Sequence, residues 1–298
     1  MSRLKSTVDY CNDTADKYDD MHGDQNAEHT RALDLLEVGS KTQKAPASKP
    51  AGGNFKGLFW ERRNSMSRLK STVDYYNDTA DKYDDMHGDQ NAEHTRALDL
   101  LVPRYFPEVK TMLDVGTGTG RTLKWFSDRG GVEMTGLEPS PKLAEIARAK
   151  VPAAKVVGGS GDKLPFEDGE FDLVTITGVL HHVEKPKEVL AEMFRVSRLG
   201  VLISDHNNFA FGSDRVRKIK MCLFSLGLLS AFSFVKQGFK KQGYSTGDGW
   251  WYPYSVLNDF DVIAKHSNHF ALVPTRTANS KQGNFMLSNS HVAIACLK

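Results

Sequence analysis

The sequence predicts an α/β fold organised on a doubly wound, mostly parallel seven-stranded sheet, and three observations carry that prediction. From Thr111 onward, apolar runs of strand length alternate with amphipathic stretches of helix length. The run Thr111-Met-Leu-Asp-Val115 passes directly into Gly116, Gly118 and Gly120, a spacing that lets the backbone turn sharply and lie against a ligand before a helix begins. The run Phe171-Asp-Leu-Val-Thr-Ile-Thr177 is almost continuously apolar, as a central parallel strand covered on both faces should be.

Taken in order, the chain begins with a repeat. Met1–Leu36 recurs as Met66–Leu101, identical except that Cys11 stands where the second copy has Tyr76. Solenoid repeats diverge more and need at least three copies, so this is a duplication and not an architecture. Residues 37–65 between the copies are rich in Lys, Ala, Pro, Gly and Ser and read as a flexible linker. The second copy runs straight into strand one, so residues 66–298 are expected to form one complete domain. The first copy is expected to be redundant unless it docks in a neighbouring molecule by domain swapping.

Val73, Tyr76, Ala80 and Tyr83 share one helical face that should pack on the domain. A second helix spans about Gln90–Tyr105, with Ala92, Leu98 and Leu101; His87 and His94 flank or lie on it, and a solvated pair is favoured over a metal pair there. Helix Thr119–Asp128 ends at Gly130-Gly131, strand two runs Val132–Glu138, and Pro139-Ser-Pro141 opens helix Lys142–Lys150. Strand Lys155–Gly158, strand Phe171–Thr177, helix Pro186–Val196 and strand Gly200–Asp205 follow. Residues 206–252 form a helical and aromatic lid insert. Within it Met221–Val235 carries no charge and would be about 22 Å long as a helix, short of the roughly 30 Å of a bilayer core. Packing as a lid is favoured for this stretch, ahead of lining an apolar pocket or touching a membrane surface peripherally. Gly247-Asp-Gly-Trp-Trp-Tyr-Pro-Tyr254 reads as a glycine-hinged aromatic loop. Helix Tyr254–His266 and an antiparallel edge hairpin, Phe270–Pro274 with His291–Leu297, complete the chain.

The residues around the glycine turn narrow the chemistry. A carboxylate at Asp114, two positions before the first glycine, suits a cation and repels a phosphate. Glu138, ending strand two, is placed to accept hydrogen bonds from both hydroxyls of a ribose. A nucleoside with an amino-acid tail satisfies both carboxylates, whereas the spacing and Asp114 disfavour a nicotinamide-dependent oxidoreductase.

Over about Tyr75 to Gly200 these residues resemble the class I S-adenosylmethionine-dependent methyltransferases, in particular the small-molecule group that includes the ubiquinone and menaquinone-biosynthesis type. The most specific piece is the unbroken run Gly161-Asp-Lys-Leu-Pro-Phe-Glu-Asp-Gly-Glu-Phe-Asp-Leu-Val-Thr-Ile-Thr-Gly-Val-Leu-His-His-Val183. The resemblance implies a Rossmann-like fold, S-adenosyl-L-methionine as cofactor, and a small, apolar or aromatic methyl acceptor. It implies cofactor contacts at Tyr83, Asp114, Gly116, Thr117, Gly118, Gly120, Glu138, Ser160, Gly161, Asp162 and Thr177. The family's adenine-binding acidic residue falls on Ser160, with Asp162 nearby, so either can accept the adenine amino group. Candidate bases at the strand ends are His181, His182 and His206, since histidine titrates near neutral pH. The rival reading is a non-catalytic S-adenosylmethionine-binding scaffold, which would bind the cofactor without turnover.

Composition sets outer bounds. A chain of 298 residues with net charge +2 gives no argument for nucleic acid. Cys11, Cys222 and Cys296 are scattered, so neither a disulfide framework nor a zinc site is expected, and no metal is assigned. Without an apolar N-terminal core or a spanning segment, a reducing cytoplasm is the expected location.

Overall fold

The computed structural model describes residues 70–86, 88–229, 231, 242–277 and 284–298. The first repeat copy, the linker, His87 and the latter part of the 221–235 stretch lie outside the described residues.

Strands β1 (Thr111–Val115), β2 (Glu133–Glu138), β3 (Lys155–Gly158), β4 (Phe171–Thr177), β5 (Ser197–His206), β8 (His269–Thr277) and β9 (Asn289–Leu297) form one sheet in the order β3-β2-β1-β4-β5-β9-β8. β9 is antiparallel to both of its neighbours, so the reversed strand lies one place in from the edge and closes the expected hairpin with β8. From β1 the chain winds outward through β2 to β3, then returns to β4 on the other side of β1 and winds the opposite way. That reversal opens a crevice at the carboxyl ends of β1 and β4, where doubly wound sheets bind ligands.

Strand alternation feeds a separate core on each face. Met112, Leu173, Leu202, Ala293 and Ala295 point to the face covered by α2 (Gly88–Tyr105), α3 (Arg121–Arg129) and α4 (Pro141–Lys150). Leu113, Val115, Val174, Ile176, Val201, Ile203 and Ile294 point the other way, against Val189, Leu190, Met193 and Phe194 of α5 (Pro186–Val196). Each large apolar side chain removed from water this way contributes on the order of 1.5–3 kcal/mol before conformational entropy is subtracted. Local signals fix the helix ends: Ser140 caps α4 by accepting from Leu143 N with Pro141 in the first turn, and Gly130 stops α3.

Four expectations are corrected. β5 begins at Ser197, ahead of the expected start at Gly200; at Gly200 a Cβ would stand 2.1 Å from the Cys296 carbonyl, so glycine is what lets β9 pair there. The apolar stretch from Met221 is not one helix. α6 (Asp214–Ser225) starts before it and stops at Leu226-Gly227, where Gly227 takes φ +69°. The expected aromatic loop is a hairpin, β6 (Gly243–Ser245) with β7 (Gly249–Trp251), whose turn carries Asp248. The expected helix Tyr254–His266 is a 3-10 turn, Val256–Asp259, followed by α7 (Phe260–His266). Among the described residues no helix is long and apolar enough to cross a membrane.

Candidate active site

The glycine turn after β1 builds the floor of the site. Gly116, Gly118 and Gly120 all have positive φ. A Cβ at Gly116 would meet Val179 at 2.6 Å, and one at Gly118 would rest on the Tyr83 ring. Glu138, at the end of β2, accepts from Gly118 N at 2.8 Å and Ser140 N at 2.9 Å, so the carboxylate ties the turn to the start of α4. Burial pushes its pKa up to about 7 against the pull of those two amides.

A cavity of about 930 Å³ opens above this floor. The sequence candidates Tyr83, Gly116, Gly118, Glu138, Ser160, Gly161, Asp162 and His182 line it, together with Tyr76, Val179, Leu164 and Tyr252. The loop from Gly161 to Phe166 is held by Arg195, which donates to the Leu164 and Phe166 carbonyls, and by Glu192, which accepts from Leu164 N.

Asp114, Thr117, Gly120 and Thr177, named as cofactor contacts by the resemblance, do not line the cavity. Asp114 still lies within the sheet, between Gly136 and Thr175 of the neighbouring strands, and is 1% exposed. Its carboxylate accepts from Thr117 Oγ1 at 2.8 Å and Thr175 Oγ1 at 2.7 Å, and burial raises its pKa. It therefore braces the turn from beneath. Gly120 caps α3 against Ala147, and Thr177 accepts from Arg121 Nη2.

The segment before α2 covers the turn. Helix α1, residues 70–79, and the short turns Ala80–Lys82 and Tyr83–Met86 bring Tyr76 and Tyr83 over the cavity, their rings edge to face at 5.8 Å. Asp84 accepts from Thr119 Oγ1 at 2.6 Å and pairs with Lys150, while Asn77 accepts from Ser140 Oγ at 2.8 Å.

At the far end, the carboxyl edges of β4 and β5 bring the three candidate histidines together. His181 Nδ1 is 2.7 Å from Asp205 Oδ1, and His181 Nε2 is 3.5 Å from Asp248 Oδ2. Burial disfavours charge on this ring, but the two carboxylates outweigh it and raise the pKa to about 10. His182 Nδ1 is bonded to the Trp250 carbonyl at 2.6 Å and His182 Nε2 to the Tyr76 hydroxyl at 2.8 Å; burial, then the neighbouring His181, lower its pKa to about 4. His206 is lowered to about 3 by burial and by His181. Of the three, only His182 lines the cavity. Asp205 holds Leu180 N, His206 N and His181 together and stays ionised well below the usual carboxylate range, its burial offset by His181. His94 is buried, bonded to Ser204 Oγ and packed on Gly178, so it locks α2 to the sheet and is not solvated; His87 lies outside the described residues.

Sequence reading missed Asp205, Asp248 and Tyr252. Asp205 ends a predicted strand, which was a usable signal; Asp248, between Gly247 and Gly249, announced a turn but gave no hint of what the turn faces.

Comparison with known proteins narrows the reading. Residues 113–204 match the family described as "Methyltransferase domain". Residues 113–204 thus carry a methyltransferase-type domain, similar to those of the class I S-adenosylmethionine-dependent methyltransferases. The chain is 31% identical to a demethylmenaquinone methyltransferase of Renibacterium salmoninarum over 47% of its own length and 60% of that protein's. It is 30% identical to one from Paenarthrobacter aurescens over 47% and 55% respectively. It thus spans little more than half of these curated relatives. The fold is shared with an S-adenosylmethionine-dependent methyltransferase from Thermotoga maritima, at TM-score 0.50 and 19% identity over 76% of this chain and 99% of that one. S-adenosylmethionine is the cofactor that the matched domain implies, and the residues present fit it. The glycine cradle leaves room only a Cβ-free backbone would leave, and Glu138 faces the same cavity with its amide-anchored carboxylate. Gly116, Gly118 and Glu138 would hold the nucleoside, and the bound cofactor supplies an electrophilic methyl group.

Proposed function

We propose that this chain methylates a small, apolar or aromatic molecule held between Tyr76, His182 and Tyr252. The observation that carries the reading is one continuous cavity with the glycine cradle at one end and His182 at the other. Its volume lies near the top of the roughly 300–1,000 Å³ typical of ligand pockets, which suits a cofactor and a second small molecule together. The demethylmenaquinone methyltransferases among the relatives support an aromatic acceptor.

Holding acceptor and methyl donor in line can contribute up to about 7–11 kcal/mol of barrier reduction by itself. The segment over residues 70–86 covers the glycine turn, and His182, fixed by the Trp250 carbonyl and the Tyr76 hydroxyl, positions the acceptor. Candidate acceptors such as quinols and phenols, offered with methyl-labelled cofactor, should yield a labelled product together with the demethylated cofactor. Tight cofactor binding with no turnover on any acceptor class would instead favour the scaffold reading.

A further inference from the structure

We infer that His181, His182 and Asp248 bind one divalent first-row transition-metal ion, of which Zn²⁺ is the probe of choice. The ligand atoms of these residues lie within 4.8 Å of one another. Asp248 Oδ2 is 3.5 Å from His181 Nε2 and Asp248 Oδ1 is 3.6 Å from His182 Nε2. Those separations are long for hydrogen bonds, but close to the edge of a tetrahedron about a zinc ion, about 3.3 Å for metal–ligand bonds near 2.0 Å. His181 Nε2 is buried without a hydrogen-bond partner and points at this gap.

The outer contacts match those of metal-bound imidazoles. A ligating histidine commonly hands its other ring nitrogen to a carboxylate or a backbone carbonyl, which fixes the ring and its tautomer. Here His181 Nδ1 is taken by Asp205 and His182 Nδ1 by the Trp250 carbonyl, so both Nε2 atoms face Asp248, and the ion takes the place of the proton on His181 Nε2. A second trio, His181 with Asp205 and His206, fits less well. Asp205 lies 2.7 Å from His181 Nδ1 and also accepts from Leu180 N and His206 N, so its oxygens are already used. The Tyr76 hydroxyl, 2.8 Å from His182 Nε2, is the group the ion displaces.

Two imidazoles and a carboxylate leave one tetrahedral position for an outside ligand. Because His182 also lines the cavity, an oxygen of the methyl acceptor is the ligand that position suits. That role rests on the methyl-transfer reading; the ion site itself does not.

The test titrates the full chain, freed of metal with a chelator, with Zn²⁺ by calorimetry and with Co²⁺ by visible absorption. One ion per chain and the absorption band of four-coordinate Co²⁺ are expected. Asp248→Asn and His182→Gln should each weaken binding at least tenfold, and His206→Asn should leave metal affinity within about threefold. Cofactor affinity measured on the same variants shows that they are folded. Absence of stoichiometric binding, or parental affinity in both Asp248→Asn and His182→Gln, overturns the site. Failure of methyl transfer with the ion site intact would overturn only the proposed function.

Discussion

Glu138 shows how much one carboxylate can be asked to do. It anchors two backbone amides and faces the cavity, and its pKa of about 7 places its charge within the physiological range. As pH rises from its ordinary 4.5 towards 7, the folded chain keeps a proton that the unfolded chain has released. This group's contribution to stability therefore falls across that window and is constant above it. Cofactor affinity should move the opposite way, since the ionised carboxylate is the better acceptor: binding isotherms should tighten between pH 6 and pH 8, roughly within a factor of ten. Glu138→Ala should lose charge-assisted hydrogen bonds worth about 1.5–3 kcal/mol each, at least tenfold in Kd by calorimetry. Unchanged affinity would remove Glu138 from the cofactor site. Asp114 carries the same charge at a comparable position in the motif, yet is sealed beneath the turn. Spacing located both acids, but only packing separates the one that faces the cavity from the one that meets threonine.

At the scale of elements, the glycine turn gives a graded prediction. Gly116→Ala forces a side chain into φ +71° and into Val179, whereas Gly118→Ala faces φ +56° with its Cβ in ordinary contact with Tyr83. The first should cost about 1–3 kcal/mol more stability than the second, read as the larger drop in thermal midpoint. The seven strands were readable because burial on two faces leaves uninterrupted apolar runs such as Phe171–Thr177, and because glycine and proline mark their ends. The lid was harder. The hairpin of β6 and β7 is two three-residue strands rich in glycine and aromatics, too short to show a period, and α6 crosses the boundary between a charged and an apolar stretch. The histidine pair was visible as a motif. Its partners Asp205 and Asp248 were not, since only the fold brings a lid turn to the ends of β4 and β5.

For the whole molecule, the repeat offers two copies of a segment to one groove. Their single difference falls on Tyr76, whose hydroxyl bonds His182, while the first copy has Cys11. We expect the second copy to be the one that counts. A chain beginning at Met66 should keep the cofactor affinity and thermal midpoint of the full chain, and Tyr76→Cys in that shorter chain should lower the midpoint by several degrees, since losing a packed aromatic costs about 3 kcal/mol. Unfolding of the shorter chain would show the first copy to be structural.

Residues 70–86 join the sheet through side chains: Asn77 to Ser140, Asp84 to Thr119, Tyr76 to His182. None of these contacts extends a strand or shares a helix with the body, so the segment behaves as a tethered ligand sitting across the mouth of the cofactor's cradle. A tethered ligand has an off-rate. Under the proposed methyl transfer, spent cofactor is expected to leave no faster than this segment lets go, so turnover would be set in part by the hydrogen bonds of Asn77, Tyr76 and Asp84. Weakening them, for example by Asn77→Ala, should speed product release while loosening cofactor binding, the two effects separable by stopped-flow measurement of each rate.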